Sequence, residues 1–218
     1  AASAMAAGGE LARLDLAYIK ATRYVVYLNA SMLVLLAVFA YPLLALWIGP
    51  GFARSGATVL ALMACSQFVD SLTSLPSLVN DGMGHPRLSG LFAVARALAG
   101  LGIVYVGVAG WGIVGAAWGH LVASCVFTLA FLVVVHGRTV PTRLSHLCAQ
   151  GYLPGMGAAA VVALVASLAE RLFDHGLFDF LLIAALSAGL LALLGMLVVV
   201  EPVDRRWAWA RVKALAGN

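Results

Sequence analysis

The chain has 218 residues, of which 63% are hydrophobic and only 10% are charged, and its formal net charge is +4. A soluble domain contains about 45–50% apolar and about 25% charged residues, so this composition excludes a water-soluble globular domain. The mean hydropathy of +1.02 indicates that lipid surrounds much of the chain. The positive charge suits the headgroups of a phospholipid bilayer, and no nucleic-acid partner is predicted.

Residues 1–23 are predicted to form a cytoplasmic amphipathic segment. Leu11, Leu14 and Tyr18 fall on one face of a helix, while Glu10 and Arg13 fall on another. Such a helix either lies among the headgroups or extends the first membrane span into the cytoplasm. The chain does not begin with Met, and its first residues lack the features of a signal peptide. A start within a longer protein is therefore expected.

Six apolar runs follow, each long enough to cross a ~30 Å hydrocarbon layer as a helix of about 20 residues. They are residues 24–48, 57–80, 88–108, 112–135, 153–172 and 178–200. Barrel strands would be about 10 residues long and strictly alternating. The predicted fold is therefore all-α, a polytopic membrane helix bundle with six transmembrane helices.

The connections divide this bundle into parts. Short turns join the helices within residues 24–135, which predicts four antiparallel neighbours. A longer basic loop, residues 136–151, separates them from a terminal helix pair, residues 152–200, which is predicted to pack at the periphery. Residues 201–218 form a basic tail with interfacial tryptophans.

The basic residues predict the orientation, since ten of the 13 Lys and Arg residues fall on one side of the six-span zigzag. These ten are Arg13, Lys20, Arg23, Arg87, Arg138, Arg143, Arg205, Arg206, Arg211 and Lys213. Short loops rich in Lys and Arg stay in the cytoplasm, so both ends of the chain are predicted to be cytoplasmic. Arg54 and Arg171 fall on the other side, and Arg96 falls within a span.

The second span carries polar residues at every third or fourth position: Ser66, Gln67, Asp70, Thr73, Ser74, Ser77 and Asn80. A charge at mid-membrane costs about 2.5–3.5 kcal/mol, so Asp70 must face protein, water or a partner. Asp70 and Arg96 flank the same cytoplasmic turn and reach a similar depth of about 12–15 Å. We predict that they form an ion pair or line one aqueous cavity. The alternative is a pair that only fixes the register of the two helices.

The fourth span adds His120, Ser124 and Thr128 on one helix face. A histidine in a membrane helix is either a proton relay or a hydrogen-bonding residue of the bundle. Gly115 and Gly119 form a GxxxG pair, which predicts close helix packing. The predicted cavity-lining residues are Gln67, Asp70, Ser74, Ser77, Arg96, His120 and Ser124.

The chain carries no sequence motif for catalysis. It contains no GxSxG elbow, HExxH zinc motif or GxxxxGK[ST] loop, and its three cysteines lack metal-ligand spacing. No catalytic residue, metal site or cofactor is predicted, and the chain is expected not to be an enzyme.

Four segments of the chain carry recognisable motifs: residues 3–23, residues 46–53 (LWIGPGFA), residues 80–87 (NDGMGHPR) and residues 112–117 (GIVGAA). They resemble segments of the polysaccharide exporters of the multidrug/oligosaccharidyl-lipid/polysaccharide flippase superfamily. Residues 46–53, LWIGPGFA, resemble that family's LWxGPxFA segment, and residues 80–87, NDGMGHPR, resemble its LNGxGxxR-type turn. Residues 112–117, GIVGAA, resemble its GxxGAA motif, and residues 3–23 are similar to the segment after its P-x-x-S helix end. Together these matches cover residues 1–135.

The resemblance implies a carboxy-terminal fragment, from the end of helix eight through helix fourteen of a MATE-like two-lobe transporter. The missing amino-terminal lobe would be its partner. It also implies translocation of lipid-linked oligosaccharide across the bacterial inner membrane by alternating access, for synthesis of O-antigen, capsule or exopolysaccharide.

Three other functions remain open at this point. One is an ion-coupled multidrug antiporter of the same superfamily, in which Asp70 and His120 would bind protons or Na⁺. The second is an intramembrane enzyme acting on lipid or peptide. The third is a membrane scaffold subunit that transports nothing.

Overall fold

The computed structural model describes residues 8–172, 177–201 and 204–206. Over these ranges the chain is almost entirely helical and contains no strand. The helices are α1 (Leu11–Val38), α2 (Ala40–Trp47), α3 (Pro50–Ser71), α4 (Ser74–Gly82), α5 (Pro86–Arg138), α6 (Leu144–Leu147), α7 (Leu153–Leu172) and α8 (Leu177–Leu194). Two π-helical turns, Cys148–Tyr152 and Gly195–Val199, precede α7 and follow α8.

Five helical stretches within the described ranges are long and apolar enough to cross a membrane. They are Leu11–Val38, Pro50–Gly82, Pro86–Arg138, Leu144–Ala169 and Phe178–Val199. Large apolar side chains cover the outside of the bundle; Met32, Leu101 and Tyr105 are 73%, 70% and 75% exposed. Apolar surface on this scale requires lipid or another protein against it. The chain is thus an all-α bundle whose helices indicate a multi-pass membrane protein, and the number of six crossings stays a prediction.

The first predicted span is longer and less straight than the apolar pattern suggests. Helix α1 begins at Leu11 and continues without interruption to Val38, so the described part of the amino-terminal segment extends this helix. The sequence predicts two arrangements for this segment, and the structure shows the one in which it extends the helix of the first span. The helix breaks at Phe39, because the ring of Pro42 excludes the carbonyl four residues earlier and removes one N–H donor.

The second predicted span is broken near its middle. Helix α3 ends at Ser71 and α4 begins at Ser74. The break lies next to Pro76, whose ring prevents a helical bond to the carbonyl of Leu72. Through the break the backbone tightens, and the N–H groups of Leu72 and Thr73 each bond a carbonyl three residues back at 3.2 Å.

Helix α5 is a hairpin of two helical limbs. It spans 53 residues, but Trp111 and Gly112 have non-helical backbone angles, and Gly112 has φ +60°, which only glycine adopts without strain. The limbs fold back on each other: the Phe92 and Phe131 rings lie 5.3 Å apart, edge to face. Nearer the turn, Gly107 and Gly115 face each other with no space for a side chain. The turn therefore lies where the sequence predicts one.

Helix α1 lies at the centre of the bundle. Helix α3 packs on one side of it and α7 on the other, while α5 packs against α3 and α8 against α7. Gly155 of α7 lies directly against the backbone of Tyr27, and the Tyr27 hydroxyl donates to the carbonyl of Leu191. Helix α7 therefore belongs to the central packing, and the prediction of a peripheral terminal pair is wrong for this helix.

The segments predicted to be cytoplasmic meet at one end of the bundle. Their contacts are Tyr18 to His136 at 3.1 Å, Arg23 Nε to the Gln150 carbonyl at 2.7 Å, Lys20 Nζ to Asp204 at 2.7 Å, and Thr139 to Asn80 at 2.7 Å. Hydrogen bonds from Lys20 and then from Tyr24 lower the pKa of the Asp204 carboxyl, which keeps it ionised. The described basic segments thus share one end; the side of the membrane stays a prediction. Residues 207–218, including Arg211 and Lys213, lie outside the described residues.

The loop predicted for residues 136–151 is mostly helical. Helix α5 continues to Arg138, α6 begins at Leu144, and only residues 139–143 between them are not helical. The side chain of Thr142 in this short connection donates to Asp15 of α1. Tertiary contacts at this end therefore keep most of this segment helical, although its polar sequence predicts a loop.

Candidate functional site

Asp70, Arg96, His120 and Ser124 form a charged centre between three helical segments. The Arg96 guanidinium is ion-paired with Oδ2 of Asp70 and also donates to the Ser124 hydroxyl at 3.1 Å. His120 Nε2 lies 3.9 Å from the same carboxylate oxygen. The ion pair predicted from the depths of the two charges is therefore present. The two limbs of α5 supply the arginine on one side and the histidine and serine on the other.

The Asp70 side chain has unused hydrogen-bonding capacity. Its Oδ2 atom accepts from Arg96, but its other oxygen, Oδ1, is buried and has no hydrogen-bond partner among the described residues. The Asp70 side chain is only 17% exposed, whereas those of Arg96 and His120 are 30% and 43% exposed. A buried carboxylate oxygen without a donor is costly, so a hydrogen-bond donor or a cation that reached this atom would gain a favourable contact.

The helix break described above sets the position of the carboxylate. Asp70 lies in the last turn of α3, and its carbonyl accepts the Thr73 hydroxyl at 2.8 Å. The Leu72 carbonyl, which Pro76 excludes from helical bonding, accepts the Tyr152 hydroxyl at 3.0 Å. Irregular backbone at membrane depth requires such a partner. Tyr152, which is 5% exposed, therefore stabilises the break next to the charged centre.

Tyr152→Phe is expected to destabilise the protein by about 1–3 kcal/mol, because it leaves the partly buried Leu72 carbonyl without this donor. The free energy of unfolding in detergent micelles measures the effect. Tyr105→Phe is the matched control, since Tyr105 is exposed and has no hydrogen-bond partner among the described residues. Equal stabilities of the two variants would contradict the role of Tyr152.

A cavity of about 590 Å³ adjoins the charged centre. Arg96 and His120 line it together with hydroxyl-bearing Thr73 and Ser77 of the broken span. The remainder of the wall is largely apolar and aromatic, and includes Phe92, Phe127, Phe131, Gly100, Leu101 and Val104. Cationic, hydroxyl and apolar groups thus occur on one wall, which suits a ligand with both a polar and an apolar part.

The structure brings together most of the predicted cavity-lining residues. Arg96 bonds both Asp70 and Ser124, and His120 lies near the same Asp70 oxygen. Arg96, His120 and Ser77 line the cavity, whereas Asp70 and Ser124 are not part of its wall. Gln67 and Ser74 are exposed and do not line it. The polar stripe of the second span therefore meets different environments, because the break between α3 and α4 interrupts its regular helical spacing.

The predicted set misses several residues that contribute to the site, among them Thr73 on the cavity wall, Thr128 and Tyr152. Thr128 lines the cavity and donates to the Val69 carbonyl at 3.4 Å; its spacing from His120 and Ser124 gives a sequence signal. Tyr152 has no such signal, because it lies 80 residues from the carbonyl that it satisfies. Pro76 shows that some donor is required, but only the packing of α7 and its preceding turn identifies it.

Within the described ranges, no three His, Cys, Asp or Glu side chains are grouped so that they could hold a metal ion. Gly115 and Gly119 both lie against the backbone of the first limb of α5, which confirms their predicted role in close packing.

Comparisons of the chain with protein-family models, with curated proteins and with solved structures find no match.

Proposed function

We propose that the chain is the carboxy-terminal part of a bacterial inner-membrane flippase that translocates lipid-linked oligosaccharide by alternating access. The proposal combines the four resembling segments with the site. The observation that carries it is the Asp70–Arg96–Ser124 centre beside a cavity with cationic, hydroxyl and aromatic walls. Arginine binds phosphate oxygens, and hydroxyl groups replace the water that a sugar loses. The aromatic wall suits apolar faces of the sugar rings.

The proposed architecture is a MATE-like lobe with six crossings and cytoplasmic ends. Its support is the hairpin of α5: a straight helix of 53 residues would be about 80 Å long, far more than a membrane requires. Two antiparallel limbs of about 25 residues each fit two crossings. The convergence of the basic segments at one end fits an even number of crossings.

Reporter fusions distinguish six crossings from five. We expect alkaline phosphatase to be active when it is fused at Trp111 and inactive when it is fused at the predicted cytoplasmic positions Arg87 and Arg143. If α5 crosses only once, Arg87 and Arg143 fall on opposite sides, and one of the two fusions becomes active. Green fluorescent protein, which is fluorescent only in the cytoplasm, serves as the complementary reporter at the same positions.

Deletion of the gene tests the substrate class. We expect loss of cell-surface polysaccharide and accumulation of lipid-linked oligosaccharide in the inner membrane, because synthesis continues when translocation stops. Mass spectrometry of extracted lipids measures the accumulation, and restoration of the gene should reverse it. Normal surface polysaccharide in the deletion strain would contradict the proposal.

One observation favours the antiporter alternative. Asp70 Oδ1 lacks a hydrogen-bond partner among the described residues, and His120, which lies near the same carboxylate, lines the cavity; in this alternative the two side chains bind the coupling ion. The same deletion strain distinguishes the two functions. If the protein is an antiporter, the deletion strain keeps its surface polysaccharide. The strain then accumulates more cationic drug, to an extent that depends on the ion gradient.

A further inference from the structure

A second cavity, of about 460 Å³, lies at the end of the bundle where the basic segments meet. Its wall includes Arg87 in the first turn of α5 and Arg138 at the end of the same helix. These arginines are 51 positions apart in the chain, but the hairpin places the two ends of α5 side by side. His85, which precedes α5, adds an imidazole to the same wall. We call this cavity the basic cleft.

The basic cleft has cationic groups without anionic counterparts. Neither Arg87 nor Arg138 has an ion pair or hydrogen-bond partner among the described residues, and both are exposed. The nearest acidic residue in sequence, Asp81, is absent from the wall and instead accepts from Ser89 Oγ at 2.6 Å and Asn80 Nδ2 at 3.3 Å. Two neighbouring guanidinium groups repel each other, and an anion bound between them removes that repulsion.

An apolar surface continues from the basic cleft along the first limb of α5. Leu91 forms part of the cleft wall and is 66% exposed. Val94 and Leu98 follow at helical spacing on the same limb and are 57% and 69% exposed. A small inorganic anion uses only the arginines, whereas a lipid uses both the arginines and this apolar surface.

We propose that the basic cleft binds the phosphodiester headgroup of an anionic phospholipid, with an acyl chain along Leu91, Val94 and Leu98. The planar guanidinium group matches the geometry of phosphate oxygens, and basic pockets between membrane helices bind such headgroups. The start of α5 adds the positive end of the helix dipole. This inference requires a membrane location but does not depend on the transported substrate.

Lipid binding to the purified protein tests the inference. Native mass spectrometry in a neutral detergent gives the dissociation constants of phosphatidylglycerol and phosphatidylcholine for wild-type protein and for R87A/R138A. Each arginine near a membrane surface contributes about 1 kcal/mol, so we expect about a 30-fold weaker affinity for phosphatidylglycerol in the double variant. The affinity for phosphatidylcholine should be weak and unchanged. The control R54A removes an exposed arginine outside the cleft and should bind as the wild type does.

Three results would overturn the inference. One is an unchanged affinity of R87A/R138A for phosphatidylglycerol, and another is equal binding of the two lipids by the wild type. The third is competition by inorganic phosphate at concentrations equal to those of the lipid, which would assign the cleft to a free anion. If the alanine variant does not fold, R87K/R138K is used instead: it should keep the preference for the anionic lipid, and loss of that preference would contradict a charge-based site.

Discussion

Arg96→Ala is expected to destabilise the protein by about 3 kcal/mol, because it leaves the carboxylate of Asp70 without a counter-charge inside the bundle. Asp70→Ala should have an effect of similar size, because it leaves the Arg96 guanidinium without its counter-charge. The double variant D70A/R96A should be more stable than the sum of the two single effects predicts, since it removes both charges together. The free energy of unfolding in detergent micelles measures all three.

Arg54→Ala is the matched control for this set, because Arg54 is exposed and has no partner among the described residues. Its effect should stay within about 0.5 kcal/mol. Additive effects of D70A and R96A would show that the two side chains do not interact. The same variants also test the role of the site in transport: if the pair binds substrate, D70A/R96A should be defective in export despite its recovered stability. Normal export by that variant would leave the pair with a structural role only.

Gly115→Ala is expected to destabilise the hairpin of α5 by about 1–3 kcal/mol. A Cβ atom at this position would lie 1.9 Å from the carbonyl oxygen of Gly107, and backbone cannot move aside as a flexible side chain can. The limbs must separate, which weakens the packing around the Phe92–Phe131 pair and widens the cavity between them. The melting temperature in detergent measures the loss.

Gly102→Ala provides the control within the same helix, since a Cβ atom at Gly102 meets nothing within 4 Å. It should be neutral or slightly stabilising, because alanine favours a helix by about 0.5–1 kcal/mol over glycine. Equal melting temperatures for Gly115→Ala and Gly102→Ala would contradict the close approach of the two limbs.

The pairing of Asp70 with Arg96 could be predicted because local rules determine it. A short turn makes the second and third helices antiparallel neighbours, and the rise per residue then fixes the depth of each charge. The cost of an isolated charge in lipid excludes most alternatives. Ser124 and His120 could be assigned to the same region because their spacing places them on one face of the next helix.

Other parts of the site could not be predicted, since they depend on which distant helices touch. Tyr152 reaches Leu72 only because α7 and its preceding turn return to the centre of the bundle, whereas the sequence suggested a peripheral pair. The basic cleft likewise depends on the register of the hairpin, which brings Arg87 to Arg138. Gln67 shares the polar stripe of Asp70 but is exposed, whereas Asp70 is partly buried, a difference that periodicity alone does not reveal.

The sequence by itself determined the helical class, the apolar surroundings, the turn at Trp111 and the need of Asp70 for a partner. These properties follow from composition, from helix-breaking residues and from the cost of charge in lipid, all of which act locally. Only the tertiary structure decided the order of the helices around α1, the donor to the Leu72 carbonyl and the shapes of the two cavities. Within a membrane, lipid and neighbouring helices are equally apolar, so hydrophobicity does not choose which helix faces touch; close packing at small residues and a few hydrogen bonds make that choice.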